Sequence, residues 1–342
     1  MGALMPETLL HIHETLPEGL LDCAVEDLHT LLPGPTLIHL PGRRAEPLFV
    51  SVLLHGNEPA GIQAVQQVLK RYLGQELPRA LSLFIGNVSA AAKRQRRLAG
   101  QPDYNRIWIE GNTAEHAMAA EIVAQMRARH VFASIDVHNN TGLNPHYACV
   151  NKLEHRFLRL ATNFSRTVVY FIKPEGVQTS AFAALCPAVT LECGQPQQAY
   201  GVEHAAEYLD TVLNMAQLSD KQVPEHDIDL FHTVALVKVP AGISFSFDAD
   251  ADADLCFEAD LDRMNFHEVT QGMVIGEVKE GAAVCLEAID EQGEDCGAHY
   301  FSVQDNLLQF NRAVMPSMLT LNEKVIRQDC LCYLMERMAL PT

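Results

Sequence analysis

The chain contains no run of about 18 apolar residues, so a membrane-spanning helix is not expected. Basic side chains are scarce. Lys and Arg number 25 against 43 Asp and Glu, and the formal net charge of −18 repels nucleic acid and anionic membrane surfaces. Residues 1–14 lack a basic start followed by an apolar block, so a signal peptide is not expected. A disulfide framework is also missing: nine cysteines, odd in number and widely scattered, fit a reducing cytoplasm. Cys330 and Cys332 stand too close together to be half of a zinc knuckle. What is left is a globular chain of 342 residues, 48% hydrophobic and long enough for two domains. The expected partner is a small molecule, with homo-oligomerisation left open.

Residues 36–217 alternate apolar strand-like runs with helical patterns. Strands are expected over 36–40, 48–54, 81–88, 131–138, 167–172 and 187–193. Helices are expected over 58–72, 113–129 (opened by the capping pair Asn112/Thr113), 152–163 and 202–217. That order predicts an α/β fold, a mixed but mainly parallel sheet flanked by helices. After about residue 220 the pattern becomes β-rich with Gly and Pro turns. The expected division is a catalytic domain over 1–220 and a smaller β-rich domain over 221–342. Within the latter, Asp248 to Asp254 alternates Asp with Ala, but an EF-hand loop needs Gly sixth and Glu twelfth. Those positions hold Ala253 and Ala259, so a solvated loop is expected.

The most informative segment is Leu53-Leu54-His55-Gly56-Asn57-Glu58, where an apolar run ends in a histidine and then a carboxylate. Open α/β sheets bind their ligands at the carboxyl ends of strands. An imidazole and a carboxylate there can share one Zn²⁺ and leave a position open for water. Spacing alone carries little, because His204-Ala-Ala-Glu207 repeats it inside a helical pattern. A second strand end, Ile135-Asp136-Val137-His138, supplies a third ligand. Asp136 falls on the same strand face as His138 and can orient an imidazole. A third strand end carries Glu192, which near the metal would take a proton from the attacking water and pass it to the leaving nitrogen. A solvated strand-end Glu is the plainer alternative when Glu192 is taken alone. Asp103-Tyr104-Asn105-Arg106 adds a guanidinium and an amide suited to holding a carboxylate. Lys93 and Arg94 are expected to be solvated.

Together these segments resemble the succinylglutamate desuccinylase/aspartoacylase family, a branch of the zinc carboxypeptidase superfamily. The family pattern HGxE, GNP-x-A, R, D-x-NR, DLH and E-x-G is matched in order. It appears here as His55-Gly-Asn-Glu58, Gly86-Asn-Val-Ser-Ala90, Arg97, Asp103-Tyr-Asn-Arg106, Asp136-Val-His138 and Glu192-Cys-Gly194. Asn139-Asn140-Thr141 is similar to the Asn-Thr-Thr after the third ligand in aspartoacylases. The resemblance covers about residues 48–310, and it implies one Zn²⁺ on His55, Glu58 and His138. It further implies Glu192 as base and acid, Arg97 on the scissile carbonyl, Asn105 and Arg106 on an α-carboxylate, and Asp103 orienting an imidazole.

Three departures stand out. Val88 replaces the Pro of GNP. The segment between Arg97 and Asn105 is one residue longer than usual, which makes Arg96 an alternative to Arg97. Phe182 stands where members acting on acidic acyl groups place an Arg, so a less acidic acyl group or a peptide is expected. The leading reading is a zinc amidohydrolase acting on a small anionic amide such as an N-acyl amino acid. A true desuccinylase or aspartoacylase, a carboxypeptidase on short peptides, and a non-catalytic zinc-binding protein stay open beside it.

Overall fold

The structure, a computed structural model, describes residues 9–340. The chain forms β1 (His11–His13), β2 (Thr36–Leu40), β3 (Leu48–Val52), α1 (Ala60–Arg71), β4 (Leu81–Ile85), α2 (Val88–Ala91) and α3 (Ala114–Ala128). Next come β5 (Ala133–His138), β6 (Tyr147–Val150), α4 (His155–Thr162), β7 (Thr167–Tyr170), α5 (Gln178–Phe182), β8 (Ala188–Glu192) and α6 (Ala199–Asn214). Then follow β9 (Asp229–Lys238), β10 (Phe245–Ser246), β11 (Leu255–Phe257), β12 (Val274–Val278), β13 (Glu287–Asp290) and α7 (Gly297–Tyr300). The last elements are β14 (Phe301–Gln304), β15 (Leu307–Phe310), β16 (Met315–Ser317), α8 (Glu323–Gln328) and β17 (Cys332–Arg337).

Among the described residues one large sheet runs in the order β1-β2-β4-β3-β5-β8-β6-β7-β9-β17-β16, with β13 also paired to β9. Its centre, β4-β3-β5-β8, is parallel throughout. This is the α/β fold expected from the alternating pattern. Strands β3, β4, β5 and β8 are buried at every position, as their unbroken apolar runs require of a sheet covered on both faces. A second sheet, β10-β11-β12-β15-β14, carries the β-rich texture of the C-terminal segment. A separate apolar cluster that includes Val237, Leu255, Ile275 and Leu308 lies in this segment. Strands β9, β13, β16 and β17, all beyond residue 221, extend the large sheet as well.

Two departures from the expected elements affect the site. The strand expected to reach Val88 ends at Ile85, because Asn87 caps α2 by accepting the Ala90 N–H through its side chain. The short strand β6 was not expected. It inserts antiparallel beside β8 and puts Tyr147 opposite Glu192. No helix among the described residues is long and apolar enough to cross a membrane.

Candidate active site

The parallel pairing sets the site. Strands β3, β5 and β8 are neighbours that all point the same way, so their carboxyl ends open on one edge. His138 is the last residue of β5 and Glu192 the last of β8, and the two are register partners. His55 and Glu58 occupy the turn that leaves β3 for α1. Leu53 starts that turn with φ of 55°, a left-handed conformation uncommon for a branched side chain. Gly56 permits the rest of it: a Cβ there would lie 2.3 Å from the backbone of Ala90 and Ala91 in α2. The Gly56 N–H also donates to the Arg96 carbonyl at 3.1 Å, which ties the turn to the following loop.

His55, Glu58 and His138 converge. They are 3%, 6% and 4% exposed, and one donor atom from each lies within 4.8 Å of the others. His55 Nδ1 is 2.8 Å from Glu58 Oε1, and His138 Nδ1 is 2.7 Å from Glu58 Oε2. The far ring nitrogens are held by carboxylates. His55 Nε2 lies 3.0 Å from Asp103 Oδ1, and His138 Nε2 lies 2.7 Å from Asp136 Oδ2. Ser51 donates to the other Asp136 oxygen at 2.7 Å. Burial opposes charge on His138, yet Asp136 and Glu58 outweigh it and hold the imidazole well above its ordinary pKa. Glu58 is held well below the carboxylate range by the two imidazoles, against its own burial.

This donor set fits a divalent cation. Both imidazoles turn Nδ1 toward the same carboxylate, and a cation there replaces the protons that otherwise bridge the three groups. The carboxylate behind each imidazole is the arrangement that fixes tautomer and ring orientation at a metal site. His204, of the repeated spacing His204-Ala-Ala-Glu207, instead lies 2.8 Å from His146 through its Nδ1 and does not join this cluster.

A half-open cleft lies beside the three residues. Glu192, Asn105 and Arg106 line it. Burial raises the Glu192 carboxyl to about 7, and the nearby Glu58 charge pushes the same way. Asn140 donates to Glu192 Oε2 at 3.2 Å, and Asn144 in turn donates to the Asn140 side chain at 3.0 Å. The Asn105 side chain accepts the Gln178 N–H at 2.9 Å, and Arg106 Nη1 donates to the Asn105 carbonyl at 2.8 Å.

Two residues singled out in the sequence lie away from the cleft. Arg97 does not line the cleft; its Nη1 donates to the Gln101 carbonyl at 3.0 Å. The physical reason is the folded-back loop: Gln101 accepts the Leu98 N–H through its side chain, which closes the segment on itself. Arg96 takes the place in the cleft, with both Nε and Nη2 on Asp103 Oδ2 and Nη1 3.9 Å from Glu58. Phe182 does not line the cleft either. It is fully buried, stacked on Phe49 with ring centroids 4.4 Å apart and edge-on to Trp108.

The family model of the succinylglutamate desuccinylase/aspartoacylase catalytic domain matches residues 46–219, which hold the three strand ends and the loop between them. The chain belongs to this family. Among solved structures it is similar to the succinylglutamate desuccinylase from Chromobacterium violaceum, at 20% identity and TM-score 0.54, covering 88% of this chain and 87% of that one. It is also similar to the succinylglutamate desuccinylase/aspartoacylase from Rhodobacter sphaeroides, at 14% identity and TM-score 0.58, covering 88% of each chain. It is similar too to murine aminoacylase 3, at 15% identity and TM-score 0.54, covering 86% of this chain and 96% of that one. At these identities the likeness is one of fold. No curated protein matches the chain.

Sequence reasoning missed Asn140 as the residue that orients Glu192, Tyr147 as a wall of the cleft, and Asp329. The first follows Asn139 directly and was visible in the Asn-Asn-Thr string. The other two arrive through an unexpected strand and through the C-terminal segment, where no local pattern marks them.

Proposed function

We propose that the protein is a zinc-dependent amidohydrolase that cleaves the amide bond of an N-acyl amino acid or a related small amide. The observation that carries this reading is the convergence of His55, Glu58 and His138 beside a raised, buried Glu192 in one cleft. Zn²⁺, when bound, supplies Lewis acidity toward water and the scissile carbonyl. His55 and His138 would hold it through Nδ1 and Glu58 through its carboxylate, with Asp103 and Asp136 orienting the rings.

Glu192 takes the proton from the attacking water and returns it to the departing nitrogen. Its pKa near 7 suits both halves of that task, since it is neither a spent base nor a reluctant acid at neutral pH. Asn140 holds one carboxylate oxygen in place, leaving the other to work. Arg96, in preference to Arg97, faces the developing oxyanion; Asn105 and Arg106 hold the amino-acid half. Tyr147, Cys149, Val169, Phe171 and Val177 form an apolar part of the cleft wall, and Lys173 also lines it. That mainly apolar wall supports a less acidic acyl group than succinyl. The division of the chain near residue 220 into a catalytic unit and a β-rich unit belongs to the same reading, since the family match ends at 219.

The test is a hydrolysis screen of the zinc-loaded protein against N-acyl amino acids of varied acyl group and against dipeptides. Release of free amino acid from the acyl substrates is expected, with apolar acyl groups ahead of succinyl. Turnover of dipeptides alone, or none at all, would overturn the proposal.

A further inference from the structure

Arg106, expected to grip a substrate carboxylate, already faces one from the chain itself, and the same carboxylate reaches the neighbouring Arg96. Asp329 follows α8 and reaches across from the C-terminal segment into the cleft. Its Oδ2 lies 3.3 Å from Arg96 Nη2, and its Oδ1 lies 3.7 Å from Arg106 Nη2. The three side chains are 24%, 14% and 28% exposed, so the group is sheltered while still reachable from the cleft. Asp103 already occupies the Nε and Nη2 side of Arg96. Asp329 therefore shares Nη2 with Asp103 and bridges that guanidinium to Arg106, while Arg96 Nη1 faces Glu58 at 3.9 Å.

We infer that Asp329 is a specificity-determining residue: an internal carboxylate, anchored on Arg96, that competes with a substrate carboxylate for Arg106. The inference rests on the amidohydrolase reading of the cleft and adds to it the class of substrate favoured. A carboxylate entering beside Arg106 meets the Asp329 charge and must displace it, and like charges brought together in a sheltered site repel. A ligand that presents an uncharged amide or ester at that place leaves the Asp329 bridge intact. The cleft is thereby biased toward substrates whose amino-acid half is carboxy-blocked, and free carboxylates bind more weakly than the two arginines alone would allow. Lys173 does not relieve this, because its ammonium is paired with Glu175.

The experiment measures binding separately from turnover. N-acetylleucine and N-acetylleucinamide are titrated by calorimetry into zinc-loaded protein carrying Glu192→Gln, with and without Asp329→Asn, and again with Asp329→Ala. Both Asp329 variants are expected to tighten N-acetylleucine by about tenfold or more while moving N-acetylleucinamide by less than about twofold. A merely structural role would shift both ligands together, and that outcome overturns the inference. So does an unchanged N-acetylleucine affinity, or no measurable binding of it to either Asp329 variant. If the selective shift occurs but the protein without the Glu192 change hydrolyses no N-acyl compound, the carboxylate competition stands and the amidohydrolase reading fails.

Discussion

His138 and Glu192 face each other in register at the final positions of the parallel strands β5 and β8. The pairing places a metal-ligand candidate and a proton-transfer candidate side by side without any loop having to find its conformation. Removing the proton acceptor alone should thus leave the ligand cluster intact. Glu192→Gln is expected to retain one zinc per chain by metal analysis while kcat falls by about 10²–10⁴-fold. Persisting turnover would remove Glu192 from the mechanism.

The acid limb of the pH profile follows from the same residue. Burial lifts the Glu192 carboxyl to about 7, and only the ionised form accepts a proton. Activity should be present above that pKa and fall tenfold per pH unit below it, so kcat/KM measured from pH 5 to 9 should show this limb. A bound cation favours the carboxylate, so the midpoint of the loaded enzyme is expected at or below about 7. A profile that stays flat down to the lowest pH at which zinc is retained would rule out Glu192 as the titrating base.

Asp103 and Asp136 stand behind the two imidazoles at 3.0 and 2.7 Å. Each Asp→Asn change should weaken zinc by about 10–100-fold in competition with a chromogenic chelator. Asp103→Asn should also loosen Arg96, which makes two bonds to the same carboxylate. It is therefore expected to lower kcat beyond its effect on metal content.

Arg96 and Arg97 are neighbours in sequence with different surroundings. Arg96→Ala is expected to lower kcat by about 10²–10³-fold at saturating zinc, the scale of a lost oxyanion donor. Arg97→Ala, which loses a bond to the Gln101 carbonyl, should cost less than about tenfold. Steady-state kinetics on the two variants with metal content matched separates them.

Phe182 belongs to the core, so its truncation should be felt in stability and not in selectivity. Phe182→Ala is expected to cost about 3–5 kcal/mol by denaturant unfolding. The ratio of kcat/KM between two acyl groups should stay within about twofold of the parent. A large change in that ratio would return Phe182 to the acyl site.

Much of the site was legible because strands announce themselves. Apolar runs ending in His55, His138 and Glu192 mark strand ends directly, and a parallel sheet gathers such ends on one edge. The loop from Ala92 to Thr113 was less legible. Choosing between Arg96 and Arg97 depends on how Gln101 folds the segment back, which no periodicity encodes. Phe182 misled for the opposite reason: a position aligned by count to a binding residue is instead turned into the core by α5, where Phe49 stacks on it. Asp329 was beyond reach of a local reading, since its partners lie more than two hundred residues earlier in the chain.

The ligand cluster is divided between the turn after β3 and the end of β5, with α1, β4, α2 and α3 lying between them in sequence. No short peptide from this chain brings the three donors together. Metal capture would therefore be a property of the assembled sheet: the full set of three donors exists only once β3 and β5 are side by side, and an ion seated there would hold those strands in their order. The affinity of the site becomes a measure of how completely the centre of the sheet has formed. A change anywhere in the β3–β5 pairing should then surface first as lost metal, well before the chain as a whole unfolds.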